Sequence, residues 1–265
     1  MLKHRSLAFL GATILFLFSA NLFAAENPTK FNFDDDYQGE DLSGIKQDNL
    51  TYDPLESINR PIFAFNETFD KYLALPITRQ YHNYVPDLIR KSVHNFVTNI
   101  TAPFSVANSL LQGDGTNSMA SFSAFLINTT IGIGGLFDVA GSKKIVYNTE
   151  DLGQTFGKYG IGTGPYLVIP LLGPSDLRDF TGLATQTAVD PLSFNVLRVG
   201  GEEVFIDNSL SISLATAKAI DSRDALIDVV DGIRRDSFDV YATIRSAYLQ
   251  KRKSLINEES VPNQR

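Results

Sequence analysis

Apolar side chains recur at Ile58, Ile62, Phe65, Phe69 and Tyr72 in steps of four and three, which places them on one face of a helix. Asp53-Pro54-Leu55-Glu56 marks its start: Asp53 suits a cap, Pro54 the first helical position, and Glu56 completes a capping box. Pro61 lies inside the pattern and predicts a kink over residues 57–60. A second helix is predicted after Pro86, with Ile89, Val93, Phe96 and Ile100 in register. A third opens at Pro103, carries Phe104, Ala107 and Leu111, and stops at Gly113. The fourth begins near Asn117 and runs into Gly132, Gly134 and Gly135. Pro165, Pro170 and Pro174 forbid a regular helix between Lys158 and Asp176, leaving residues 166–169 as a short extended piece and Gly173-Pro174-Ser175 as a turn. The last long element spans Asp221 to Arg252, with Leu226, Val230, Ile233, Tyr241, Ile244 and Tyr248 on one face and Arg235 spaced to pair with Asp239. No section alternates strictly enough for a β-rich fold.

The 23 residues between Asp114 and Asp138 carry no charge, a length that would permit a membrane span. Asn117, Asn128, Thr129, Thr130 and four glycines make the segment polar and breakable, so a re-entrant helical hairpin packed within protein fits better than a straight span. An ordinary buried core segment is the equal alternative on composition alone. Residues 1–25 read as a secretory signal peptide: Lys3 and Arg5, then an uncharged stretch with an apolar centre, then Ala24 and Ala25. Residues 26–50, with Asp34-Asp35-Asp36 and Glu40-Asp41, read as an acidic flexible leader. Residues 51–252 form the helical domain, and 253–265 a flexible tail.

Charge and composition remove several classes. A pI near 5.0 and a net charge of −7 argue against a nucleic-acid partner, which needs clustered Lys and Arg. No cysteine means no disulfide, thiolate metal site or Cys nucleophile. Gly153 to Tyr159 lacks the spacing of a phosphate-binding loop, and Gly160 to Pro165 meets proline where a phosphate-facing helix should open; both read as turns. No Gly-x-Ser-x-Gly elbow occurs, and no histidine follows Ser175. His82 and His94 sit twelve apart, about 120° round a continuous helix, and read as ordinary polar residues. Arg178-Asp179 reads as a structural ion pair.

Asp53-Pro54-Leu55-Glu56-Ser57-Ile58-Asn59-Arg60, followed by Phe63-Ala64-Phe65-Asn66 and Asp70, resembles the opening motif of the VacJ/MlaA family. The likeness continues through Asn95-Phe96, Asn99, Pro103, Asn108, Leu111-Gln112-Gly113, Asn128-Thr129-Thr130-Ile131-Gly132, Gly135 and Asp138. It ends with Gly153-Gln154-Thr155, Gly164-Pro165-Tyr166, Gly173-Pro174-Ser175, Arg178-Asp179, Asp239, Tyr241 and Tyr248-Leu249-Gln250, so that it spans roughly residues 50–252.

The resemblance implies a mainly α fold: a single domain of amphipathic helices arranged as a ring with a re-entrant glycine-rich hairpin. It implies an exported protein on the periplasmic side of the outer membrane, beside a porin trimer, which removes mislocalised phospholipid from the outer leaflet. The lipid would pass to a soluble periplasmic carrier, maintaining lipid asymmetry, with no catalytic residue, cofactor or metal. By the same resemblance the lipid path would be bordered by Phe65, Asn66, Asn128, Gly132, Gly134, Gly135, Phe137 and Asp138. A soluble periplasmic scaffold and a secreted lipid-active enzyme are the alternatives. Two departures stand out. The family's usual lipobox cysteine is missing, so membrane retention would rest on helices and partners. Many relatives also carry an arginine before the Phe of the Asn128 segment, where this chain has Ala124.

Overall fold

The computed structural model describes residues 53–189, 196–199, 202–205 and 208–257, with side chains throughout except at 196–199, 202–205 and 208–211. The expected signal peptide and leader, and residues 258–265 of the expected tail, lie outside them. The described chain is mostly helical, with two small antiparallel hairpins.

α1 (Glu56–Phe69) continues through a π-helical turn (Asp70–Ala74) directly into α2 (Leu75–Tyr84). Pro61 sits within α1 without ending it. The π turn ends two residues before Pro76, which has no N–H to serve as the α-helical donor to the Tyr72 carbonyl. The capping box does not form: Asp53 Oδ1 accepts from the Leu55 N–H at 3.0 Å, whereas Glu56 turns forward to Arg60 at 2.7 Å.

The two helices predicted on either side of Pro103 are one, α3 (Asp87–Leu111), with Pro103 exposed inside it. Gly113 ends the turn after α3 with a φ of 78°. α4 (Gly115–Thr130) folds back along α3, capped by Asp114, whose side chain accepts from the Asn117 N–H at 2.8 Å. α5 (Val139–Ser142) and α6 (Leu152–Lys158) follow; the stretch from Gly153 to Lys158, read as a turn, is therefore helical, with Asp151 as its cap.

The predicted extended piece is β1 (Tyr166–Ile169), and it pairs with β2 (Gly173–Asp176). α7 (Leu177–Val189) and a second hairpin, β3 (Val196–Val199) with β4 (Glu202–Phe205), come next. That second hairpin has no counterpart in the sequence reading. The predicted last helix is broken into α8 (Asn208–Asp224), α9 (Ile227–Asp236) and α10 (Val240–Asn257), the last running past the expected boundary at 252. Arg235 pairs with Asp236, not Asp239. Asp239 instead accepts from the Ala242 N–H at the start of α10 and pairs with Arg60 at 2.6 Å.

β1 lies between α1 and α10 at the centre of the packing. Tyr166 and Val168 pack with Tyr241 and Tyr248, against Ile62, Phe63 and Leu249. The rings meet at an angle: Phe63–Tyr241 centroids are 5.5 Å apart and Tyr166–Tyr248 6.0 Å. The elements are otherwise tied by ion pairs. Asp70 receives both Arg223 of α8 and Arg234 of α9, at 2.7 Å each, and Arg234 also holds Glu67. Asp221 and Asp224, one turn apart on α8, take His94 at 2.9 Å and His82 at 2.8 Å, with Arg90 on Asp224 as well. The two histidines thus stand on separate helices, because Val85 is extended between them.

Candidate functional site

α3 and α4 pack side by side, and their shared surface is polar. Ser105, Asn108 and Ser109 of α3 are buried with Ser118, Ser121, Ala124 and Asn128 of α4. The Asn117 amide bridges to Ser109 Oγ at 2.8 Å, and Asn108 reaches the Phe104 carbonyl and Thr155. The outward face of the same pair is apolar: Leu110, Leu111, Met119, Phe122 and Leu126 are all exposed. Exposed singly, such residues are ordinary; gathered over a polar interior they reverse the usual arrangement of a water-soluble helix pair. Small and polar residues between helices with apolar residues outside is the pattern that lipid surroundings favour. Ala124 is 1% exposed within this contact, so a longer side chain in its place would displace α3.

The pair ends in a tight loop whose shape the sequence enforces. Asn128, buried, donates from Nδ2 to Asp138 Oδ1 at 3.0 Å and accepts the Ala140 N–H at 2.9 Å. Asp138 Oδ1 also accepts the Gly141 N–H at 2.8 Å, capping α5. Gly132 lies so close to the returning chain that a Cβ there would meet the Phe137 carbonyl oxygen at 2.2 Å. Gly135, at φ 91°, presses on the Asn99 side chain of α3, whose Nδ2 donates to Thr129 Oγ1 at 2.9 Å. Between the glycines Ile133 takes a φ of 54°, a strained conformation for a β-branched residue. The result is a fixed loop with an apolar tip: Ile131, Ile133, Leu136 and Phe137 are 67%, 64%, 39% and 45% exposed.

Six of the eight residues expected to border a path therefore gather in this loop: Asn128, Gly132, Gly134, Gly135, Phe137 and Asp138. Phe65 and Asn66 are held by a separate set of partners. Asn66 donates to the Ile169 carbonyl at 2.9 Å and accepts the Leu171 N–H at 2.7 Å. Asn59, seven residues earlier on the same face of α1, repeats the clamp on the Tyr166 carbonyl and the Val168 N–H, at 3.0 and 2.9 Å. The two amides thus bond backbone groups along β1 and the turn that follows it, while Phe65 stands 53% exposed. The seven-residue spacing of two asparagines on an apolar helix face was the available signal for these clamps. The apolar tip left less trace, because Ile131 and Leu136 read equally as core.

Behind the loop lies a buried charge cluster. Arg252 of α10 donates to both oxygens of Asp151, at 2.7 and 3.0 Å, and stands 2.5 Å from Asp179. Asp179 also takes Arg178 at 2.8 Å and the Tyr248 hydroxyl at 2.6 Å, so Arg178-Asp179 is the structural pair expected. Desolvation would raise the Asp151 carboxyl, but Arg252 and the Gln154 N–H outweigh it and hold the group below the usual range. Asp176, next to Asp179, is pushed up to about 7 by desolvation and by that neighbouring carboxylate. Among the described residues no group of three or more His, Asp or Glu side chains is placed to hold a metal ion. Nor is any described helix long and apolar enough to cross a membrane.

Comparison with known proteins gives one consistent result. Residues 51–255 match the family model described as MlaA lipoprotein. An uncharacterised protein of Rickettsia bellii is 36% identical over 224 residues, covering 84% of each chain. The intermembrane phospholipid transport system lipoprotein MlaA of Escherichia coli is 34% identical over 219 residues, 81% of this chain and 82% of that protein. A solved structure from work on the maintenance of bacterial outer membrane lipid asymmetry superposes with a TM-score of 0.66 at 34% identity, covering 78% of this chain and all of the other.

Proposed function

The chain belongs to the MlaA family, and from that membership we propose that it is a phospholipid-transport component that serves outer-membrane lipid asymmetry. It removes mislocalised phospholipid from the outer leaflet and delivers it to a soluble periplasmic carrier, without covalent chemistry. The observation that carries this reading is the inverted helix pair: a polar seam between α3 and α4, an apolar exterior, and an apolar loop tip beyond it. Such a pair buries its apolar face among acyl chains while its polar groups remain bonded to one another. In this reading the described helices lie along the bilayer surface with their apolar faces in the acyl region.

The fixed loop forms one wall of the lipid path, with Gly132, Gly134, Gly135 and Phe137 at its surface and Asn128 and Asp138 holding its shape. Phe65, projecting from α1, forms another. An arrangement of the helices as a ring beside a porin trimer gives the lipid a passage between these walls. In this reading apolar burial and contact with the porin hold the described helices at the membrane. Deleting the gene is expected to raise surface-exposed phospholipid and detergent sensitivity, and the native protein should need detergent for extraction and carry phospholipid with it. Unchanged outer-leaflet composition together with release by osmotic shock would overturn the reading in favour of a soluble scaffold.

A further inference from the structure

α1, the π turn and α2 form one rod of about 40 Å, and the turn decides what that rod shows to its surroundings. The Leu75 N–H donates to the Asp70 carbonyl, five residues back, so the turn holds one residue more than an α-helix would. Each residue of an α-helix advances about 100° round the axis, and the extra one sets α2 back by that amount. With it counted, Ile58, Phe65, Tyr72, Ile77 and Tyr84 fall within about 20° of one line, and all five are exposed. The buried side aligns as well: Asn59 of α1, Leu75 and Thr78 lie within about 60° of one another and all three are buried. In an uninterrupted helix Asn83, not Tyr84, would stand in line with Phe65, and Arg79 would fall within about 40° of it.

The line carries no charge. Every Asp, Glu, Lys, Arg and His from Glu56 to His82 lies more than about 100° from Phe65. The arginines on the far edge are already matched, Arg60 with Asp239 and Arg79 with Asp231, at 2.6 Å each. Beyond the bend at Val85, Leu88 and Ile89 are exposed at the start of α3 and lie within about 40° of Leu110 and Leu111 on its outward face. The uncharged line of the rod is therefore followed along the chain by the apolar exterior of the α3–α4 pair. A protein partner is held by anchors seated in recesses, with paired polar groups round them. A convex line of aliphatic and aromatic side chains suits acyl chains instead, and the amphipathic rings of Tyr72 and Tyr84 suit the level of the headgroups.

From this alignment we infer that the π turn is a register device: its extra residue joins α1 and α2 into a single uncharged face laid against the acyl chains of the bilayer. The inference rests on the phospholipid-transport reading and adds Tyr72, Ile77 and Tyr84 to the surface that meets lipid. Phe65, a wall of the path in that reading, stands on the same line, so the wall continues outwards as a face that acyl chains can follow.

The chain contains no tryptophan, so each Trp substitution is a single fluorescent reporter. Tyr84→Trp, Asn83→Trp and, on the outward face of α4, Phe122→Trp are made in the full chain and mixed with phosphatidylcholine vesicles whose acyl chains carry bromine. Tyr84→Trp should be quenched about three-fold more strongly than Asn83→Trp, and Phe122→Trp should be quenched too. Asn83→Trp quenched as strongly as Tyr84→Trp, or more so, overturns the alignment. Quenching of Phe122→Trp without quenching of Tyr84→Trp overturns the inference and leaves the transport reading standing. Quenching of none of the three overturns both. A second comparison decides the matter if a reporter does not fold: Tyr84→Lys should weaken vesicle binding about five-fold, and Asn83→Lys, next to it but off the line, by less than about two-fold. Equal losses from the two lysines overturn the inference.

Discussion

At Gly132 a single hydrogen atom decides whether the loop closes. A methyl group there would meet backbone oxygens of Phe137 and Asn128, at 2.2 and 2.5 Å, and neither can rotate away. Gly132→Ala is therefore expected to cost at least about 3 kcal/mol in chemical denaturation, with loss of lipid-transport function. Gly134 has open space where its Cβ would lie and only a positive φ, 69°, so Gly134→Ala should cost about 1 kcal/mol. Equal effects at the two positions would mean that the loop relaxes more freely than its hydrogen bonds allow. The glycines were conspicuous in the sequence as a group, but their separate duties were not: one answers to a carbonyl across the loop, the other to its own dihedral angle. Asn66 was legible as part of a motif, whereas the bonds its amide makes to the Ile169 carbonyl and the Leu171 N–H were not.

Among the elements, periodicity found the helices and failed at their joints. Pro103 carries the same signal as a helix start, yet α3 passes through it because the ring faces outwards. The break between α9 and α10 was hidden for the converse reason: apolar spacing stays in phase across Ser237 and Phe238, while Asp239 caps a new helix. Neither outcome follows from spacing alone, because both depend on what packs alongside. Asp70 is the joint on which this part of the fold turns, receiving Arg223 and Arg234 from two different helices. Asp70→Asn should destabilise by roughly 2 kcal/mol and raise hydrogen exchange in α8 and α9 more than in α4. Arg235→Ala, which removes the exposed Arg235–Asp236 pair, should leave both measurements unchanged.

For the whole molecule, acidity is the sharper probe. The folded state raises the Asp176 carboxyl to about 7 through desolvation and Asp179, and raises His94 through its bond to Asp221 and then the charge of that partner, against the lowering effect of burial. A raised group stabilises the fold fully below its unfolded value and loses that contribution as pH climbs through the folded one. Both act in the same direction, so stability should fall as pH rises through about 7. Asp70 and Asp151 are depressed, with desolvation outweighed by their arginines, and their contribution fades once pH drops below the ordinary carboxylate value of 3.8. Thermal denaturation should thus give a mildly acidic optimum, and Asp176→Asn should flatten its alkaline side while leaving the acid limb in place.

The last helix closes circuits that open far upstream: Tyr241 reaches Asp53 across 188 positions, and Arg252 reaches Asp151 across 101. A polypeptide still leaving the ribosome holds those carboxylates without these partners until α10 emerges. Early segments therefore gain less from settling on their own, and the last helix to be made locks the assembly from both sides.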